Sequence, residues 1–302
     1  MVYHEVQKKG RKSYNYLVKS IRRGNKWEKK RKYIGAGKFS GDKIREEKEK
    51  FENELREASY LADMQKEAIE NIKLRFESYL KKGGKSGVEN FREWFFTDLT
   101  YNSNSIEGNS LSKRDTSLII NEGIVPRGAS LREVNEAKNH KDALDFLLGY
   151  QGEVNEELML KLHSIILKNI DDASAGKYRK VPVFVMGSDI RFPHHSKVPH
   201  LARNLIKWHK SNKKSMHPFE LATLFSAKFV SIHPFTDGNG RCSRLLMNYT
   251  LKKSGYPEIN IYVKDRNNYL KAVRKANDED YAMLVDFLFR TLKKNYKFLA
   301  EM

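Results

Sequence analysis

The chain has 302 residues, of which 31% are charged and 39% hydrophobic, a composition typical of a folded globular protein and not of a disordered one. No apolar run approaches the roughly 20 residues that a membrane-spanning helix needs, and the N-terminus lacks the hydrophobic segment of a secretory signal, so we expect a protein without membrane partners. A single cysteine, Cys242, excludes an internal disulfide and favours the reducing cytoplasm as the location.

The positive charge is concentrated at the N-terminus. The formal net charge is +19, and residues 1–40 contribute 13 basic side chains against two acidic ones, a net +11. Such an asymmetry fits a basic module that meets an anionic partner such as nucleic acid, or a solvated surface that only aids solubility. No sequence signature of a nucleic-acid-binding fold accompanies the charge, which favours the second interpretation.

The first third of the chain is predicted to contain one hairpin and one helical segment. Residues 14–35 are predicted to form a β-hairpin, because two segments rich in aromatic and β-branched residues flank a Gly24-Asn25 turn. Residues 41–82 carry apolar side chains at helical spacing and predict one long helix or a helix pair. The glycine-rich segment 83–87 is expected to end this helical segment.

The remainder is predicted to be helical, apart from a second short hairpin at residues 181–192. Helices are expected near 88–106, 112–121, 130–149, 155–170, 198–211, 217–231, 241–254, 266–275 and 278–296. We therefore expect a mainly α fold with a basic β-hairpin module (1–40), a helical connector (41–87) and a large helical domain (88–302).

Residues 233–244 read His-Pro-Phe-Thr-Asp-Gly-Asn-Gly-Arg-Cys-Ser-Arg and are flanked by helical patterns on both sides. Asp-Gly-Asn-Gly alone would indicate an ordinary turn between helices. However, a helix that begins near Arg241 after two glycines can bind phosphate at its N-terminus, and Arg241 and Arg244 share one face. Asp237 offers an oxygen ligand for Mg²⁺, and His233, with an ordinary pKa of about 6.5, suits a general base.

This segment resembles the signature of the Fic family of AMP-transferring proteins, His-x-Phe-x-Asp/Glu-Gly-Asn-Gly-Arg-x-x-Arg, and matches each of its fixed positions. The resemblance covers residues 90–295. It implies a helical Fic-type core that transfers AMP from ATP to a Ser, Thr or Tyr hydroxyl of a target protein, with His233 as the base and Asp237 as the ligand of Mg²⁺. The nucleotide-binding residues that it implies are Gly238, Asn239, Gly240, Arg241, Arg244 and Tyr269.

A second motif, Ser103-Asn104-Ser105-Ile106-Glu107-Gly108, reads on its own as a helix that ends at a glycine. It also resembles the inhibitory motif of the Fic family, Ser/Thr-x-x-x-Glu-Gly/Asn, here on a helix near 95–107. By that resemblance Glu107, together with Ser103, would inhibit the enzyme by pairing with Arg244, which should otherwise hold a phosphate. Hairpin 181–192 would be the flap of the family, which docks a target segment as an added strand.

Two alternatives stay open. Some relatives use the inhibitory glutamate to position a water that removes AMP, so Glu107 could make the chain a de-AMPylase or a bifunctional enzyme. From another class, the chain could be a nucleotide sensor without turnover whose residues 1–40 bind nucleic acid.

Overall fold

The computed structural model describes residues 2–10, 12–23, 26–56, 59–184 and 190–301. Backbone contacts divide the chain into two compact units, Met1–Ala62 and Asp63–Met302. The boundary between the units falls inside the predicted connector 41–87, and the three-part division of the chain stays a prediction. Within the described ranges, no helix is long and apolar enough to cross a membrane.

The first unit contains a three-stranded antiparallel sheet and one helix. The strands β1 (Tyr3–Lys9), β2 (Lys12–Arg23) and β3 (Lys26–Ala36) lie in that order, and α1 (Gly41–Arg56) follows them. The predicted hairpin corresponds to β2 and β3, whereas its Gly24-Asn25 turn lies outside the described residues. The sequence analysis missed β1, because this edge strand is mostly polar and its pattern is weak without its neighbour.

One face of this sheet is buried and carries a small core. Leu17 of β2 packs with Phe51 of α1, Val2 and Ile34. A bulge lies beside Asn15. The buried side-chain amide of Asn15 donates to the carbonyl oxygens of Gly35 in β3, at 3.2 Å, and of Gly37 just after it, at 2.8 Å. Asn15 therefore satisfies backbone groups that the bulge leaves without ladder partners.

The second unit is helical. Its helices are α2 (Asp63–Ile106), α3 (Lys113–Ser117) with a π-helical turn (Leu118–Glu122), α4 (Leu131–Gly149), α5 (Glu156–Ile166), α6 (Val198–Asn212), α7 (Pro218–Ile232), α8 (Asn239–Lys253), α9 (Arg266–Asn277) and α10 (Ala282–Asn295). These helices confirm the mainly α prediction, and most of their bounds lie within a few residues of the predicted ones. The predicted helix near 155–170 ends earlier, at Ile166.

The glycine-rich segment 83–87 interrupts the helix, as predicted. Helix α2 consists of two helical halves that meet at Gly84, whose φ of 57° and ψ of −162° are not helical. The aromatic rings of Phe76 and Phe91, one on each side of the kink, lie 5.3 Å apart in an edge-to-face contact. Aromatic packing across the kink therefore holds together two helical halves that local propensity would separate.

Helices α7 and α8 form the centre of the second unit. Helix α8 is buried along nearly all of its first 13 residues, and the central core joins it to α4–α7 and the end of α2. The hydroxyl oxygens of Ser226 in α7 and Ser243 in α8 lie 2.7 Å apart, and the Ser243 hydroxyl also reaches the Ser226 carbonyl oxygen at 3.0 Å. Two small residues therefore let the helices on either side of residues 233–238 approach closely.

The predicted hairpin at 181–192 is not formed in the part of it that the structure describes. Residues 181–184 and 190–192 are not in strands, and 185–189 lie outside the described ranges. Pro182 has no N–H to donate, and Phe184 is 88% exposed, so neither favours pairing between the two arms. The ends of the segment are instead held by Arg179, which donates to the carbonyl oxygens of Val181 at 3.1 Å and Pro193 at 2.5 Å.

We expect Ser243→Ala to lower the free energy of unfolding by about 1 kcal/mol, because it leaves the buried Ser226 hydroxyl without that partner. Ser243→Leu should cost about 2–3 kcal/mol, because it forces α7 and α8 apart. Urea denaturation measures both. The Ser226→Ala/Ser243→Ala double variant is the control for a direct contact. Its loss of unfolding free energy should be smaller than the sum of the losses in the two single variants. Additive losses, or a Ser243→Leu variant as stable as the wild type, would contradict the close contact.

Candidate functional site

The loop 233–238 is closed by its own hydrogen bonds. His233 ends α7 in a left-handed conformation, with a φ of 50°, and its N–H donates to the Phe229 carbonyl oxygen at 3.0 Å. The side chain of Asn239 accepts from the Phe235 N–H at 3.0 Å and donates to the Phe235 carbonyl oxygen at 2.9 Å. Asn239 is therefore buried and holds the loop in shape, whereas its predicted contact with nucleotide stays a prediction.

The imidazole of His233 is arranged as an uncharged base. Its ring stacks on Phe192 with centroids 4.0 Å apart, and Nδ1 lies 3.2 Å from the Val230 carbonyl oxygen. A carbonyl can only accept, so Nδ1 carries the hydrogen and Nε2 keeps its lone pair. Burial, helped by the charge of Arg179, lowers the pKa of His233 to about 4, although the bond to Val230 opposes the shift. The ring is therefore neutral at neutral pH.

The loop packs on a histidine that the sequence analysis did not select. Phe235 is completely buried and stacks flat on the ring of His163 in α5, with centroids 3.7 Å apart. His163 Nε2 lies 3.2 Å from the Asp237 carbonyl oxygen, and Nδ1 accepts from the Gly176 N–H at 3.0 Å. Burial lowers the pKa of His163 to about 4, which keeps it neutral with Nε2 as the donor. His163 therefore connects α5, the loop and the segment that leads to residues 181–192.

A buried arginine links the same loop to residues 181–193. Besides its bonds to Val181 and Pro193, Arg179 donates from Nε to the His233 carbonyl oxygen at 2.7 Å, and its N–H donates to the Pro234 carbonyl oxygen at 3.0 Å. One guanidinium thus fixes both ends of the predicted flap against the backbone that carries the His233 ring.

The carboxylate of Asp237 is ionised and already paired with the guanidiniums of Arg241 and Arg132. Its Oδ1 accepts from the Gly238 N–H at 2.5 Å and lies 3.3 Å from Arg241 Nη2, whereas its Oδ2 lies 2.6 Å from Arg132 Nη2. Burial raises the pKa of Asp237, but Arg241, the Gly238 N–H and Arg132 together outweigh it and hold the pKa below its usual range. The carboxylate is 44% exposed, so a ligand can reach it.

Asp237 belongs to a ring of four alternating charges. Glu136 Oε1 lies 3.3 Å from Arg132 Nε and 3.3 Å from Arg241 Nη1, so each carboxylate contacts both guanidiniums. Glu136 is also held by Asn109, whose amide donates to Oε2 at 2.9 Å. The inner guanidinium, that of Arg241, is buried, whereas that of Arg132 is 60% exposed, so Arg132 is the outer member of the ring.

The guanidinium of Arg244 is buried and paired with the end of α2. Its Nη2 lies 2.8 Å from Glu107 Oε1 and donates to the Ser103 carbonyl oxygen at 2.8 Å, and its Nε donates to the Ser103 hydroxyl at 3.0 Å. Tyr269 lies close enough to interact electrostatically with this guanidinium. The structure thus brings together Ser103, Glu107, Arg244 and Tyr269, and contains the ion pair that the second motif predicts.

Gly240 provides the space for this ion pair. A Cβ atom at Gly240 would collide with the Glu107 carboxylate and would lie 3.1 Å from Arg244 Nη1. The carboxylate therefore lies over the first turn of α8, where unpaired N–H groups and the helix dipole favour an anion. The end of α2 is held there by Arg266, which donates to the Ile106 carbonyl oxygen at 2.6 Å.

The His233 loop lies in a part of the chain that is similar to known proteins. Residues 153–251, which contain α5, the loop and most of α8, match the model of the Fic/DOC family. The chain therefore contains a Fic/DOC family domain. A protein adenylyltransferase Fic from Nematostella vectensis is 32% identical over 208 residues, 67% of this chain and 48% of that protein. Protein adenylyltransferase fic-1 from Caenorhabditis briggsae is 34% identical over 203 residues, 65% of this chain and 39% of that protein. This Fic chain spans less than half the length of these curated relatives.

Solved structures confirm the Fic fold. Fic-1 of C. elegans (residues 134–508) superposes with a TM-score of 0.71 at 27% identity, over 78% of this chain and 71% of that one. A Fic domain containing signaling protein from Bacteroides thetaiotaomicron superposes with a TM-score of 0.69 at 26% identity, over 76% of this chain and 97% of that one. The helical Fic-type core predicted from the sequence is therefore confirmed.

The neutral state of His163 predicts a pH dependence of stability. Its folded pKa, about 4, lies below the unfolded value of about 6.5, so this stability is fully present above pH 6.5 and is lost as the pH falls toward 4. The loss is at most roughly 3 kcal/mol. His163→Phe keeps the ring contact but removes both hydrogen bonds, so it should lower stability by about 2 kcal/mol at pH 7.5 and flatten the pH dependence.

Urea unfolding at pH 7.5, 6.5, 5.5 and 4.5 measures this effect. His200→Phe, at an exposed position of α6, is the control and should leave the slope unchanged. A His163→Phe variant that loses stability toward acid as steeply as the wild type would show that His163 does not carry the effect.

Proposed function

We propose that the chain is a protein adenylyltransferase that moves AMP from ATP to a Ser, Thr or Tyr hydroxyl of a target protein. The observation that carries this proposal is the neutral His233 ring, whose Nε2 keeps its lone pair, on the loop that leads into the first turn of α8, where an anionic carboxylate already lies over the backbone. The curated relatives, which are named protein adenylyltransferases, support the same activity.

The proposed reaction is a displacement at the α-phosphorus of ATP. The hydroxyl oxygen of the target attacks the phosphorus, its proton passes to His233 Nε2, and the bond from the phosphorus to the bridging oxygen of the β-phosphate breaks, releasing pyrophosphate. A base with a pKa of about 4 is weak, but it is deprotonated at every physiological pH and accepts the proton as the attack proceeds. Arg179 acts as a positioning residue, because it holds the His233 carbonyl oxygen.

We propose that the first turn of α8 binds the phosphates. Gly240 leaves its backbone without a side chain on the ligand side, Arg241 and Arg244 supply positive charge, and Asn239 keeps the loop in shape. Gly238 adopts a positive φ and packs closely on α5. Tyr269, predicted from the resemblance to bind nucleotide, contacts Arg244 in the structure, so we propose that it orients this guanidinium.

Asp237 is the proposed ligand of Mg²⁺. An ionised, partly exposed carboxylate beside a phosphate site fits this ion, which uses one or two carboxylates and completes its shell with phosphate and water. The described residues contain no cluster of three or more His, Cys, Asp or Glu side chains that could hold a metal. When bound, Mg²⁺ would neutralise charge on the phosphates. Arg132 must release Oδ2 for the ion to bind there.

We propose that Glu107 inhibits this reaction in the resting protein. Its carboxylate lies over the first turn of α8 and pairs with Arg244, so it competes with phosphate for both. A second candidate activity, removal of AMP by water, is favoured by one observation: the Glu107 carboxylate is close enough to His233 to act on its pKa. In that reaction Glu107 would orient the attacking water.

The target protein is proposed to dock beside residues 181–192. The described arms of this segment are not paired as strands, and Arg179 fixes their ends next to the His233 loop. An extended target segment would pair with backbone groups of this segment, a mode that tolerates varied side chains.

The test of the function uses ATP labelled at the α-phosphate, with Mg²⁺ and a cell lysate. We expect Glu107→Gly to transfer at least about ten times more label to protein than the wild type does, equivalent to removing about 1.4 kcal/mol of inhibition. The Glu107→Gly/His233→Ala variant should transfer no more label than the lysate alone, and with γ-labelled ATP the addition of Glu107→Gly should not increase the signal above that of the lysate. Equal labelling by the wild type and Glu107→Gly would show that Glu107 does not inhibit the reaction. Labelling that survives in the double variant would show that His233 is not the base.

The ion pair between Arg132 and Asp237 predicts that Arg132→Gln strengthens metal binding. A divalent ion no longer has to displace a guanidinium from Oδ2, so the affinity for Mn²⁺ in the presence of ATP should rise about fivefold. Electron paramagnetic resonance of free Mn²⁺ measures this without turnover, and Arg127→Gln, an exposed position, is the matched control. Weaker Mn²⁺ binding by Arg132→Gln alone would mean that Arg132 orients Asp237 for the ion instead of competing with it.

A further inference from the structure

The N-terminal sheet has a face that carries tyrosines and lies opposite the face covered by α1. Residues directly opposite in an antiparallel sheet share a face, and the register places Tyr16 opposite both Glu5 and Tyr33. The rings of Tyr14 and Tyr16 lie 6.3 and 5.3 Å from that of Tyr33. We call the surface formed by Tyr3, Tyr14, Tyr16 and Tyr33 the tyrosine face.

Two of these rings are exposed. Tyr33 is 51% exposed and Tyr3 is 43% exposed, although neighbouring Leu17 is completely buried on the other face. The ring of Tyr16 is covered by the guanidinium of Arg31 at 3.7 Å, and Arg31 pairs with Glu5 at 2.7 Å. The tyrosine face thus combines open aromatic rings with a guanidinium that is already stacked on one of them.

Positive charge surrounds these rings. Lys9 and Lys12, opposite each other, and Lys29, opposite Ser20, are exposed and fall on the same face as the tyrosines by strand alternation. Residues 1–40 as a whole carry a net +11. The face is therefore complementary to a flexible polyanion that also offers flat rings.

We propose that the tyrosine face binds single-stranded nucleic acid, with bases stacked on Tyr33 and Tyr3 and phosphates contacted by Lys9, Lys12 and Lys29. Stacking on exposed aromatic side chains beside a basic surface is how sequence-tolerant single-strand binders work. A duplex keeps its bases stacked on one another, so it would use the lysines but not the rings. This binding goes beyond the proposed AMP transfer and does not depend on it.

The test measures fluorescence anisotropy of labelled 12-nucleotide single-stranded DNA, single-stranded RNA and the matching DNA duplex with the full chain. We expect the wild type to bind both single strands more tightly than the duplex. Tyr33→Ala should weaken single-strand binding about tenfold, whereas Tyr33→Phe, which keeps the ring, should retain it. Lys29→Gln should weaken binding less and reduce its dependence on salt.

Two controls complete the design. Tyr262→Ala, in the second unit, should leave the affinity unchanged, and a thermal melt of each variant establishes that it is folded. The proposal would be overturned if the wild type shows no saturable binding, or if folded Tyr33→Ala and the wild type bind with equal affinity. It would also be overturned if the wild type prefers the duplex, or binds anionic lipid vesicles in place of single strands. The Glu107→Gly/Tyr33→Ala double variant should transfer as much labelled AMP as Glu107→Gly does, so failure of one proposal leaves the other intact.

Discussion

The buried guanidinium of Arg244 is the constraint on which the rest of the site depends. A charge removed from water must be paired and hydrogen-bonded, and removal of its partner commonly costs several kcal/mol. In this structure the last turn of α2 supplies the partners through Ser103 and Glu107. Helix α2 and helix α8 are therefore coupled through one side chain. A nucleotide that takes Arg244 must replace those bonds with its own phosphate oxygens.

Charged side chains of the protein itself lie where the phosphates and the metal ion are proposed to bind. The Glu107 carboxylate lies over the first turn of α8, in the position suited to a phosphate, and the Arg132 guanidinium lies on Asp237, in the position suited to a cation. Both residues are more exposed than their partners, since Glu107 is 39% exposed and Arg244 is buried. The inner groups are thus fixed by the fold, whereas the outer groups are the ones that a ligand can displace. This asymmetry is what the proposed inhibition requires, since the proposed site is preformed and only its outer groups have to move.

The sequence predicted the parts of the site that are close together along the chain or carried by a motif. The loop 233–238, the helices on either side and the pairing of Glu107 with Arg244 all follow from spacing and resemblance. His163, Arg132 and Glu136 were missed, because their roles arise only from contacts between helices that are distant in sequence. One feature of the sequence could have indicated His163. It lies on the apolar stripe of α5 beside Leu162 and Ile166, where a buried polar ring needs hydrogen-bond partners.

Contacts across a segment decide details of the fold that local pattern does not. The glycines at 83–87 interrupt the helix at Gly84, as predicted, and aromatic packing of Phe76 on Phe91 holds the two halves of α2 together. The alternation at 181–192 favours a hairpin locally, but Arg179 takes the carbonyl oxygens at its ends. In both segments the arrangement depends on side-chain contacts, and no local pattern reports such contacts.

The most direct measurement is a pair of crystal structures, of the wild type and of Glu107→Gly, each with Mg²⁺ and a non-hydrolysable ATP analogue. In Glu107→Gly, we expect Arg244 to bind a phosphate oxygen of the analogue and the α-phosphorus to face His233 Nε2. In the wild type, Arg244 should remain on Glu107 with the α-phosphate turned away. Phosphates that lie away from the first turn of α8 in Glu107→Gly, or an identical productive pose in both proteins, would contradict the account.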